Sequence, residues 1–156
     1  MRTAIKNRPI SPDNVRVGLI SYSDSVKLEF SLGQYDSQTS VNEGIENLQL
    51  GQRGRRPALA LEYFLDNLDE IGRRPQNPLV LILLTNGRST EDRLKLMLTG
   101  WKVQAEAWCN SYAIGIGPNA DEEEMFLIGG DLQHYQMLPE GSSKDKISSR
   151  IINQTS

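Results

Sequence analysis

Apolar and polar positions change period several times along the 156 residues. In "NVRVGLISYS" (residues 14–23), Val15, Val17 and Leu19 point one way, and Ile20 and Tyr22 the other. Apolar residues on both sides predict a strand buried on both faces. After "SDS", the stretch "VKLEFSL" (residues 26–32) alternates like a half-buried strand, and so short a connection predicts an antiparallel hairpin. Val41, Ile45 and Leu48 then recur at helical spacing in residues 36–50, with Ser37 or Ser40 placed to cap the start. "PALALEYFLDNLDEIG" (residues 57–72) is the clearest helix. Pro57 suits the first position, Ala58, Leu61, Phe64, Leu65 and Leu68 form the apolar face, and Gly72 stops it. "PLVLILLT" (residues 78–85) has no alternation and predicts a central parallel strand. Residues 89–100 read as a short helix capped by Ser89 with Asp92 three residues on, and residues 111–117 as a buried strand. Residues 120–130 form a helix with acids in its first turn, residues 134–139 a last strand, and residues 142–156 a final helix or frayed tail.

Buried strands alternating with amphipathic helices predict an α/β fold, with helices on both faces of a mainly parallel sheet. Ligands in such sheets bind beyond the carboxyl ends of the strands, which places "TNGRS" (residues 85–89) at a binding edge. The length suits one domain. A net charge of −3 argues against general nucleic-acid or anionic-membrane binding. No apolar run reaches a membrane span, and "MRTAIKNRPISPD" lacks the apolar region of a secretory leader. One cysteine, Cys109, excludes an internal disulfide, and one histidine, His134, excludes a Cys/His zinc cluster.

"VRVGLISYSDSVKLEFSL", "NLQLGQRGRRPALALEYFL", "PLVLILLTNGRSTED" and "SYAIGIG", in this order, resemble the von Willebrand factor type A (vWA) domain, in particular its collagen-type members. The resemblance runs from about residue 13 to residue 139. It implies a vWA-like domain over residues 13–140, a remnant of a first helix and connection in residues 1–12, and a helix or tail in residues 141–156. It also implies a Rossmann-like sandwich, mainly parallel with one antiparallel edge strand, and a metal-ion-dependent adhesion site at the carboxyl edge. In the family, three loops hold Mg²⁺ there through hard oxygen ligands.

This chain departs from the family at each loop. Asn86 stands where the family has the aspartate of "TDGRS". Where the family reads like "GGTNTGKAL", this chain reads "GQRGRRPAL", which puts Arg53 at the threonine position with Arg55 and Arg56 after it. A guanidinium there repels a divalent cation. The Asp-x-Ser-x-Ser loop, with the family's first strand and most of its first helix, would precede Val15 and is not found, so the chain reads as truncated. That strand lies in the family between those matching residues 14–23 and 79–85, so the two face a gap here or pair directly. These departures predict a degenerate, cofactor-free site in which Arg53 lies near Asn86 in place of the ion. The ligand-binding face comprises Gly51, Gln52, Arg53, Arg55, Arg56, Asn86, Gly87, Arg88 and Ser89.

The remaining motifs read as structure. "GIGPNA" (residues 115–120) has dinucleotide-fingerprint spacing, but Asp121–Glu124 would repel a pyrophosphate. "RGRR" reads as a solvated loop or an acidic-ligand patch, and Glu122–Glu124 with Asp131 as a solvated helix start rather than a metal site. His134 reads as a strand-edge residue, and Trp101 and Trp108 as packing anchors. Cys109 is a buried thiol, or pairs with a cysteine outside this chain as in collagen-type relatives. Asn153 opens a glycosylation sequon. By resemblance the chain is a non-enzymatic adhesion module of the extracellular matrix. Its partners would be matrix proteins such as collagens, or other domains of a longer chain. The alternatives are an incomplete domain without activity of its own and a nucleotide-binding enzyme.

Overall fold

The computed structural model describes residues 9–49, 54–106 and 109–142. Their strands fall into two ladders. β1 (Leu19–Tyr22) and β2 (Val26–Phe30) form the antiparallel hairpin that the short "SDS" connection predicts, with Tyr22 opposite Val26. β3 (Leu79–Thr85), β4 (Cys109–Ile116) and β5 (Tyr135–Leu138) form a parallel sheet in the order β3-β4-β5. Leu79 pairs with Cys109 and Thr85 with Gly115, which fixes the register of the longer pair.

Four helices of eight or more residues and one short one complete the described structure. α1 (Gln38–Glu46) is capped by both candidate serines. Ser37 Oγ accepts from the Ser40 amide while Ser40 Oγ accepts from the Ser37 amide, a reciprocal box that satisfies two helix-start donors. α2 (Pro57–Asp66) starts on Pro57 as expected. It stops short of Gly72, because Asn67 leaves helical geometry and turns its side-chain amide back onto the Tyr63 carbonyl, 2.8 Å away. α3 (Leu68–Ile71) follows and ends on Gly72 at φ 88°, the left-handed stop that glycine permits. α4 (Arg93–Glu106) begins later and runs further than the sequence pattern predicts. Its cap is Asp92, whose Oδ1 accepts from the Leu94 and Lys95 amides. α5 (Glu122–Gly129) is capped by Asp121.

The main core lies on one face of β3 and β4. Ala58, Leu61 and Phe64 of α2, Leu96 and Val103 of α4, and Met125 and Ile128 of α5 pack on Leu83, Cys109 and Ala113. Ile20 and Tyr22 from the hairpin and Leu79 and Leu81 from β3 join the same cluster. Thus α2 and its neighbours cover both ladders at once.

No ladder joins β1 to β3. Of the two arrangements that the resemblance left open, the described residues show the gap. Tyr22 reaches across it, its Oη donating to the Leu84 carbonyl at 3.1 Å and also meeting the Thr85 side chain. The α/β Rossmann-like character is as predicted, but β3 is not a central strand. It is an edge of its own ladder, and Val80 and Leu84 are 40% and 46% exposed. The central strand is β4, where Tyr112, Ala113 and Ile114 are buried on both faces.

Candidate functional site

The carboxyl ends of β1 and β3 open onto one edge, where the loop before α2 meets the loop after β3. Thr85 Oγ1 donates to the Gly87 carbonyl at 2.9 Å and tightens the turn at the end of β3. The two loops are then clamped together. The Thr90 amide donates to the Arg55 carbonyl at 2.9 Å, Thr90 Oγ1 donates to the same oxygen at 3.1 Å, and the Arg55 amide returns a bond to Thr90 Oγ1 at 3.4 Å. Gly54, at φ 73°, lies directly against the Asp24 carboxylate, so neither a side chain nor ordinary backbone geometry fits there.

The arginines of this edge have different surroundings. Arg56 faces the Glu91 carboxylate at 3.6 Å and donates to the Asp24 carbonyl at 3.4 Å. Arg88 faces Asp121 at 3.5 Å and Glu124 at 3.9 Å. Arg93 is held by Asp121 at 2.8 Å and by Glu123. Arg55 is exposed, and no acidic side chain among the described residues pairs with it. Its guanidinium lies against Gly87, where an added Cβ would come within 2.6 Å of Cζ. Glycine is therefore what lets Arg55 reach over the "TNG" turn.

Two buried carboxylates hold the platform from below; Glu91 was not singled out by the sequence, and Glu124 was read there only as part of a solvated helix start. Glu91 Oε2 accepts from the Ala58 amide at 2.7 Å and so caps α2, which has no side-chain cap of its own. Glu124, 2% exposed, accepts from the Ser89 amide at 2.8 Å. Burial raises its carboxyl above the usual range. Asp121 adds to the rise, while the Ser89 amide, Arg88 and Arg93 oppose it. Burial also raises the Tyr22 phenol, which sits close enough to Thr85, Glu124 and Arg55 to feel all three. Both carboxylates act on backbone groups 33 and 35 residues away, so no short motif announces them.

Gly51, Gln52 and Arg53 lie outside the described residues, and with them the contact expected between Arg53 and Asn86. Of the other predicted residues, Arg55, Gly87, Arg88 and Ser89 do come together, Asn86 stands exposed at the turn, and Arg56 is drawn down to Glu91. The family's Mg²⁺ asks for converging oxygen donors. The described residues do not fit it. They hold no group of three or more His, Cys, Asp or Glu placed for a metal. Glu91 and Glu124 are turned to amides, and a guanidinium covers the turn.

The other motifs resolve as follows. Met137 and Ala120 occupy the space over Gly115, where a phosphate cradle would need room. His134 Nδ1 lies 2.7 Å from Asp131, whose carboxyl is lowered chiefly by that contact. Glu124 is buried, which corrects the expectation of a wholly solvated acidic helix start. Trp101 is 53% exposed beside Leu94 and Leu98 and is not a packing anchor, while Trp108 lies outside the described residues. Cys109 is a free, buried thiol pushed up to about 11 by burial. Asn153 also lies outside the described residues. No described helix is long and apolar enough to cross a membrane.

A profile of the von Willebrand factor type A domain matches residues 1–150. Matrilin-4 of Mus musculus is 32% identical over 120 residues, 73% of this chain and 18% of that protein. The human collagen alpha-1(XX) chain is 33% identical over 121 residues, 76% of this chain and 9% of that protein. The chain thus spans less than a fifth of either relative. Proximal thread matrix protein 1 from the mussel byssus, solved with a zinc-occupied adhesion-site motif, superimposes with a TM-score of 0.80 at 18% identity. The match covers 99% of this chain and 38% of that one.

Proposed function

Because the chain belongs to the von Willebrand factor type A family, we propose that it is a non-enzymatic protein-interaction module of the extracellular matrix. Matrilin and collagen relatives support that setting. The binding face is the carboxyl edge: Gly51, Gln52, Arg53, Arg55 and Arg56 on one loop, and Asn86, Gly87, Arg88 and Ser89 on the other. Its partner presents an acidic side chain, and no divalent cation takes part. The observation that carries this reading is Arg55. It is an exposed guanidinium without an acidic partner among the described residues, held over Gly87 by a clamped loop. Guanidinium takes a carboxylate through two parallel bonds, where relatives of the family use an ion.

The reading is tested by binding of the chain to acidic matrix proteins, with collagens and matrilin-type chains as first candidates. Arg55→Ala should weaken binding about tenfold or more, the loss of one charge-assisted hydrogen-bond pair. Removing divalent cations with EDTA should leave the affinity unchanged. Equal affinity of the variant, or loss of binding in EDTA, would move the interface or restore the metal.

A further inference from the structure

We propose that the outer face of α4 binds the same face of a second copy of this chain, with the two helices antiparallel and Leu98 at the two-fold axis.

The face is an apolar seam. Leu94, Leu98, Trp101 and Ala105 follow one another at steps of four, three and four residues, so they stack along one side of the helix. All four are exposed, Leu94, Leu98 and Trp101 at 58%, 46% and 53%. The other side of α4 gives Leu96 and Val103 to the core, where both are buried. α4 therefore carries two apolar faces, and the chain's own core covers one of them. Contiguous apolar residues on an outer face mark a contact surface, and tryptophan is a frequent anchor of such contacts.

The charges beside the seam select the occupant and its direction. A groove lined by α4 and by Glu62 of α2 runs along the seam, with Asp92 at its start and Lys102 towards its other end. Lys95 is paired to Glu62 at 3.0 Å. Asp92 and Lys102 enter no ion pair among the described residues. The groove thus has an unanswered acid at one end, an unanswered base at the other and an apolar centre between them. Such a face is complementary to its own reverse.

In an antiparallel pair centred on Leu98, Lys102 of one copy stands level with Leu94 of the other. That is about 3 Å along the axis from Asp92, at a helical rise of about 1.5 Å per residue. A two-fold axis makes this pairing twice, once at each end of the seam. A parallel pair would instead set Lys102 level with Lys102 and Asp92 level with Asp92, like charge against like.

The test is sedimentation of the purified chain over a range of concentrations. The expected result is a reversible equilibrium between monomer and dimer. Leu98→Glu sets two carboxylates against each other at the axis and should weaken the dimer at least about tenfold. Lys102→Glu leaves the seam intact but sets acid against acid at both ends. It should weaken the dimer about threefold or more, and added salt should narrow its difference from the parent chain. Should Leu98→Glu also lower the Tm of the monomer, Lys102→Glu at an exposed position decides alone. Three results would overturn the proposal: a chain that stays monomeric at every concentration, a dimer untouched by a folded Leu98→Glu chain, or a dimer equally strong in Lys102→Glu.

Discussion

β4 and β1 read alike in sequence, as apolar runs without a polar face, yet they end in different surroundings. β4 has a strand on each side, and Ser111 to Gly115 are buried without a break. β1 has one neighbour, and all four of its residues are only partly buried. The same contrast separates the two halves of the molecule. The parallel half holds Leu96, Ala113 and Ile114 at zero exposure, whereas β1 and β2 contribute only Phe30 to the buried residues. Burial of a parallel strand is thus a property of its neighbours. The apolar pattern shows what a strand can tolerate, and the ladder decides what it receives.

This comparison can be broken most forcefully in the core. Leu96→Ala should cost about 3–5 kcal/mol in urea unfolding, whereas Ile20→Ala, at a half-buried site, should cost about 1–2 kcal/mol. Equal losses would mean that the hairpin is as firmly integrated as the parallel half. Amide exchange resolves the contrast along the chain, with β4 expected to exchange slowest and β1 markedly faster. Tyr22→Phe removes the hydroxyl that bonds across the gap to the Leu84 carbonyl. A cost of about 1 kcal/mol is expected, with faster exchange in β1 than in β4; uniform acceleration would show that both halves open together.

The smallest effect concerns pH. Glu124 has a raised carboxyl pKa, so the folded chain holds that proton more tightly than the unfolded chain. Its contribution is fully present below the ordinary glutamate range and is lost as pH rises through the raised folded value. Glu124→Gln keeps an oxygen for the Ser89 amide and should flatten that decline in thermal melts taken across the acid range. An unchanged slope would assign the pH dependence to other groups.

What the sequence revealed was local. Ser37 and Ser40 sit three residues apart and cap each other, and Pro57 and Gly72 mark a start and a stop whose chemistry is complete within one turn. Signals that depend on distant partners were misread. Ser89 looked like the cap of α4, but its amide is engaged by Glu124, and Asp92 caps the helix instead. Trp101 fits an anchor by size, yet α4 turns it outward. At the binding edge the resemblance drew attention to Arg53, whereas among the described residues it is Arg55 that lies on the turn. The contact depends on Gly87, 32 positions along the chain, and on a clamp to Thr90 that no spacing encodes.

That clamp also has a mechanical side. The Arg55 carbonyl is tied to Thr90, and the residue after Thr90, Glu91, grips the first turn of α2 while α4 begins two residues further on. A partner pulling on the Arg55 side chain therefore strains two helices in parallel instead of peeling one loop away. Tension spread over both helix starts must break several short bonds together before the edge yields.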